Sequence, residues 1–170
     1  MMIVLETERL RLGHLTVADA PFIFELLNEE AFLRNIGDKG VRDLEGARGY
    51  ILNGPAASYD RFGFGLYRVE LRETGAPVGI CGLVKRETLE DVDIGFAFLS
   101  AHWGRGYAVE AAAAVKANAR DDFGLKRLVA ITVPDNQKSM RVLEKIGFRF
   151  ERMIRLTEGA DELTFFVAEL

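Results

Sequence analysis

One cysteine, one tryptophan, two histidines and four prolines in 170 residues leave several classes of protein without their raw material. A lone Cys81 excludes an internal disulfide, and on an apolar strand it reads as a packed core thiol. His14 and His102 stand apart with no carboxylate cluster between them, so no metal is expected. Charge interrupts every apolar stretch before the roughly eighteen residues that a membrane helix requires, and no leader pattern opens the chain. Nor is there an excess of positive charge. With 22 basic and 26 acidic residues and a formal net charge of −4, no general field attracts nucleic acid. A soluble, cytoplasmic protein with neither membrane nor nucleic-acid partner is the expectation.

What is present is apolar content, at 49 %, enough for one core, and residues 1–170 read as a single domain. Arg9 to His14 alternates as a short strand. Asp19 and Pro21 open an amphipathic helix with Phe22, Leu26 and Leu27 on one side, ending near Glu30. Asn35 to Val41 reads as a loop; Leu44, Ala47, Tyr50 and Ile51 then recur at helical spacing until Asn53-Gly54-Pro55 stops them, so two helices precede the main sheet. From Phe64 the period becomes two. Phe64 to Leu71, Pro77 to Lys85 and Val92 to Leu99 are antiparallel strands. Ala108 to Phe123 is an alanine-rich helix, and Arg127 to Val133 a strand reached through it, which makes one parallel pair by a right-handed crossover. Asn136 caps a short helix running to Ile146, and Phe148 to Leu156 with Leu163 to Leu170 close the chain as a hairpin. The fold class is α/β, with a mostly antiparallel mixed sheet, one late parallel pair and flanking helices. An exposed edge in the C-terminal hairpin leaves monomer and homodimer both open.

Trp103-Gly104-Arg105-Gly106-Tyr107-Ala108 sits where a strand hands over to the alanine-rich helix. Two glycines let successive N–H groups turn the same way, and the helix N-terminus adds free donors and positive potential, so an anion fits there. Arg105 can add a charge-assisted contact. Val109 takes the place of a third glycine, against a dinucleotide fold, and no Gly-Lys-Ser/Thr follows, against a P-loop. A nucleotide-bearing cofactor with a diphosphate remains.

That turn, followed by Asn136-x-x-Ser139-x-x-Val142-Leu143-Glu144-Lys145-x-Gly147-Phe148, resembles the GCN5-related N-acetyltransferases (GNAT). Gly106-Tyr107-Ala108-x-Glu110-Ala111 is similar to the branch of ribosomal-protein N-terminal acetyltransferases. The resemblance implies acetyl-CoA as cosubstrate, its diphosphate on Gly104 to Ala108. It also implies a pantetheine arm along the strand ending at Phe98-Leu99, where that strand splays from the next. Separated strands leave backbone groups free for an amide-rich arm.

Acetyl transfer to an amine needs a base, a polarised carbonyl and a leaving thiolate. An N–H near Leu99 is the expected donor to the carbonyl. The tyrosine acid that many relatives carry is replaced by Leu143; Ser139, one turn earlier on the same face, is the candidate acid or cofactor contact, or a serine bonding the helix N-terminus. Asn136 reads as an N-cap with room for a cofactor contact. Asp93 is the candidate base, or a polar outward residue of its strand; Glu110 suits the helix dipole. Phe62, Phe64 and Tyr67 read as core with a cleft-lining alternative, and Trp103 either shields the cofactor or anchors its loop. Asn28, Glu29, Glu30 and Asp38 are placed at the acceptor mouth, which they make acidic unless they form an ordinary solvated surface. A small-molecule or peptide amine is the implied partner. A catalytically silent acyl-CoA-binding domain is the alternative.

Overall fold

The computed structural model describes residues 1–170. Strands β1 (Ile3–Glu6), β2 (Leu10–Gly13), β3 (Leu66–Leu71), β4 (Pro77–Val84), β5 (Asp93–Phe98), β6 (Arg127–Thr132), β7 (Arg149–Ile154) and β8 (Leu163–Glu169) form one sheet in the order β1-β2-β3-β4-β5-β6-β8-β7. Every neighbouring pair is antiparallel except β5 and β6. The helix α5 (Tyr107–Asp121) carries the chain between those two. It buries Ala111, Ala112, Val115 and Ala119, small side chains that let it lie close on the sheet.

The two faces of the sheet hold different cores. Leu10, Leu12, Tyr67, Val69, Cys81, Leu83, Ile94 and Phe98 pack under α5 and α6 (Gln137–Lys145). Ile80 and Leu99 pack on the other face against α1 (Ala20–Leu27) and α3 (Leu44–Ile51), with Phe22, Ile23, Leu26, Ala47 and Ile51. Val129, Phe165 and Val167 make a smaller cluster further along that second face. No helix is long and apolar enough to cross a membrane.

The structure adds elements that periodicity does not reveal. β1 has burial pattern exposed, half-buried, half-buried, exposed, so no alternation marks it. The segment read as following a single first helix forms α2 (Glu30–Asn35). Asn53-Gly54-Pro55 does not stop the chain either; it widens into a π-helical turn (Leu52–Ala56) that leads into α4 (Ala57–Phe62). The longer hydrogen-bonded ring of a π turn accommodates a proline that an ordinary α turn would reject. Four helices rather than two therefore precede β3.

The parallel pair determines where chemistry can occur. β5 and β6 share a single register position, Asp93 with Val129, supported by Val129 N–H donating to Val92 C=O at 3.1 Å. Beyond it they diverge toward Phe98 and Thr132.

Candidate active site

The divergence of β5 from β6 exposes backbone. Leu99 N–H donates to Val78 C=O at 2.9 Å, so it faces β4 and not the gap. The Leu99 N–H itself is therefore engaged, and the free donors lie beside it: alternation along a strand turns the N–H and C=O of Phe96 and Phe98 toward β6. The Leu99 side chain belongs to the core on the α1 and α3 face. The Phe98 carbonyl accepts a hydrogen bond from Trp103 Nε1 at 2.9 Å. That leaves Phe96 and the Phe98 N–H facing the gap.

Trp103 thus anchors its own loop, and its ring, 38 % exposed, carries Lys138 Nζ 4.5 Å from its centroid. This contact brings the turn before α5 against the first turn of α6, joining the two sequence motifs in space. Gly104 and Gly106 both adopt the left-handed conformation, φ 76° and 80°. The amides of Gly104, Arg105, Gly106, Tyr107 and Ala108 donate no hydrogen bond within the protein. Five free donors at the positive end of a fifteen-residue helix form a cradle for an anion. The Arg105 carbonyl faces away and accepts from Arg9 Nη1 at 2.8 Å.

Glu110 has a structural task here. Its carboxylate accepts from Thr7 Oγ1 at 2.6 Å, from Arg9 N at 2.8 Å and from Arg9 Nε at 2.7 Å, which latches the β1–β2 turn onto α5. In the second motif Asn136 caps α6 by accepting from Ser139 N at 3.3 Å. The cap uses the serine amide, and the Ser139 hydroxyl makes no hydrogen bond within the protein. Ser139 precedes the buried Leu143 by one turn and shares its face.

On the opposite face of the sheet Asp93 is 1 % exposed. Oδ2 accepts from Arg86 Nε at 3.2 Å, whereas Oδ1 is buried with no partner. Burial pushes the Asp93 carboxyl up to about 6, against the Arg86 charge, which pulls it down. Gly95, two residues on and on the same face, looks toward Leu66 of the α1 and α3 core, and Ala97 packs on it. Asp93 and Ser139 therefore approach the splay from opposite sides.

Of the expected mouth residues none is a free anion in the cleft. Asn28 donates to Phe24 C=O and Val41 C=O, at 2.8 and 3.0 Å, and fixes the loop. Glu29 accepts from Ser100 N and Oγ at 2.9 and 3.2 Å. Glu30 pairs with Arg34 in the open, and Asp38 is held well below the usual carboxylate range by Arg42 and the Gly40 amide. An acidic mouth is thus replaced by local structure, because the carboxylates of Glu29, Glu30 and Asp38 each find a partner nearby. The groups that do flank Asp93 are Arg86 and Lys85, and neither stands in a spacing that marks it in the sequence.

Phe64 and Tyr67 are core residues under α5, with Phe62 packed against them, and do not line the acceptor side. Cys81 is fully buried and burial pushes its thiol up, away from nucleophilic use. His14 stacks on Tyr59 at 3.9 Å, and no group of His, Cys, Asp or Glu side chains converges as a metal site.

Three comparisons bear on this geometry. The family model described as an acetyltransferase (GNAT) domain matches residues 9–149. An uncharacterized N-acetyltransferase, YoaA, of Bacillus subtilis is 29 % identical over 157 residues, 91 % of this chain and 88 % of that protein. An acetyltransferase structure from Agrobacterium tumefaciens superposes with TM-score 0.85 at 29 % identity, covering 100 % of this chain and 96 % of that one. The fold is also that of RimL, a ribosomal L7/L12 alpha-N-protein acetyltransferase solved with coenzyme A, at TM-score 0.84 and 17 % identity over 99 % of this chain and 98 % of that one. A splayed parallel pair, a cradle of free amides and a family match over most of the length have one common reading: the chain belongs to the GNAT acetyltransferases, which move an acetyl group from acetyl-CoA.

Proposed function

We propose that the protein acetylates a primary amine by direct attack in a ternary complex, with Asp93 as base and Ser139 as acid. The carrying observation is the buried Asp93 carboxylate, half-partnered, at the vertex of the splay. The free amides of Gly104 to Ala108 suit a diphosphate, and the Phe96 and Phe98 backbone suits the amides of a pantetheine arm. Asn136 and Arg105 are the side chains we assign as further cofactor contacts. Bound there, acetyl-CoA supplies an activated thioester.

An α-amine titrates near ~8 and a lysine near ~10.4, so the acceptor arrives largely protonated. The ammonium first gives one proton to solvent, which frees its lone pair; as the nitrogen then bonds to the acetyl carbon, Asp93 Oδ1 takes a second. A carboxyl at about 6 accepts that proton more readily than a solvated aspartate does. Ser139 gives a proton to the sulfur as the carbon–sulfur bond breaks, and solvent restores the hydroxyl. The Phe96 N–H, which faces the gap and lies nearer than Phe98 to Asp93 along the strand, is placed to polarise the acetyl carbonyl.

Mixing the protein with acetyl-CoA and a panel of amines, peptides and polyamines while following free thiol tests this. Asp93→Asn is expected to lower kcat/KM by about 10²-fold or more, and the parent profile to show an acid limb near 6. Ser139→Ala is expected to lower turnover by about 10²-fold. A change only in acetyl-CoA affinity removes either residue from the chemistry, and no thiol release from any amine overturns the proposal.

A further inference from the structure

Arg86 is presented to the acceptor side of the splay in a manner that a proton transfer does not require. Lys85 Nζ is bound by the carbonyls of Arg86, Leu89 and Glu90, at 3.2, 2.6 and 3.0 Å, which fixes the turn between β4 and β5. From that turn Arg86 engages Asp93 through Nε alone. Its two terminal nitrogens make no hydrogen bond within the protein, and its side chain is 37 % exposed. Lys39, in the loop between α2 and α3, forms no ion pair or hydrogen bond; partial desolvation of its ammonium, and then the Arg86 charge, draw it below the usual lysine value. The neighbouring Asp38 is already closed onto Arg42.

Two uncommitted cations within electrostatic reach of each other repel, and a free guanidinium fork matches a carboxylate in bidentate fashion. Beside them Asp93 Oδ1, nine-tenths buried or more, lacks a donor. The free guanidinium nitrogens and the unpartnered oxygen belong to two side chains in direct contact, Arg86 Nε with Asp93 Oδ2 at 3.2 Å. We propose that the acceptor is a small zwitterion, a free α-amino acid, whose carboxylate is held by Arg86 with Lys39 and whose ammonium turns to Asp93 Oδ1. A protein N-terminus presents an amide where this site calls for a carboxylate. The inference rests on the acetyl-transfer reading and narrows its acceptor.

The test follows thiol release from acetyl-CoA with free α-amino acids, their C-terminal amides and the matching decarboxylated amines, beside peptides. At least one free amino acid is expected to exceed its amide in kcat/KM by about tenfold or more. Arg86→Gln and Lys39→Met are each expected to shrink that ratio by raising KM for the acid. Lys39 lies on an exposed loop, so its variant folds even where loss of the Asp93 partner prevents Arg86→Gln from folding. Amides or simple amines turned over as well as the acids, or a ratio that neither variant alters, overturn the inference and leave acetyl transfer standing. Absence of thiol release in every arm overturns acetyl transfer and this inference with it.

Discussion

At the scale of single residues, Asp93 sets stability against chemistry. Its folded pKa of about 6 lies above the ordinary 3.8, so the folded protein holds this proton more tightly than the unfolded chain. Stability from this group therefore falls as pH rises from near 3.8 to about 6, and the cost above that window is about 3 kcal/mol. Asp93→Asn keeps an acceptor for Arg86 Nε and removes the buried charge. Its Tm at pH 7.5 is expected to equal or exceed the parent's, with a flatter stability profile between about pH 4 and 6. A variant less stable at neutral pH would contradict this. Asp93 was legible as a candidate through the resemblance, which implies a carboxylate at that strand position. Arg86, which engages one of its oxygens, was not: only the β4–β5 turn brings the two together.

At the scale of elements, the turn into α5 depends on backbone conformation more than on side chains. A Cβ at Gly104 meets nothing within 4 Å, so Gly104→Ala carries only the left-handed strain, about 1–2 kcal/mol. A Cβ at Gly106 also comes 3.3 Å from Nη2 of the Arg9 guanidinium, whose Nη1 ties this turn to the β1–β2 connection. Calorimetry is expected to show both variants weakening acetyl-CoA binding about tenfold or more, Gly106→Ala the more severely. Unchanged affinity would remove the cradle from cofactor binding. The elements around the turn were readable because α5 and the strands are long and periodic. β1, α2 and α4 were not, since four to six residues carry too little periodicity to distinguish a short helix or edge strand from a loop.

At the scale of the molecule, β4 joins the two faces. Cys81 packs under α5, Ile80 packs against α1 and α3, and Gly82 passes so close to β3 that a Cβ there would stand 1.9 Å from the Gly65 carbonyl oxygen. Gly82→Ala must separate β3 from β4 and is expected to destabilise by about 3 kcal/mol or more in denaturant unfolding. Cys81 reports the same event: in the parent its labelling by a thiol reagent is expected to require global unfolding, and in Gly82→Ala to accelerate in step with the lost stability. Fast labelling of the folded parent would show that the two faces open separately.

The sequence by itself determined the order of the main strands and helices, the late parallel crossover, the glycine turn before α5 and the cap at Asn136. These follow from local periodicity, glycine conformation and short spacings, all of which are properties of neighbouring residues. Tertiary structure alone decided that Leu99 faces β4 while Phe96 and Phe98 face the gap, that Asp93 keeps an unpartnered oxygen, and that Glu29 and Asp38 are engaged elsewhere while Arg86 is left with free donors. The turn at Trp103 to Ala108, where we place the donor's diphosphate, was readable because its geometry is local. The charges we propose to select the acceptor meet across segments distant in sequence, and only the folded sheet brings them together.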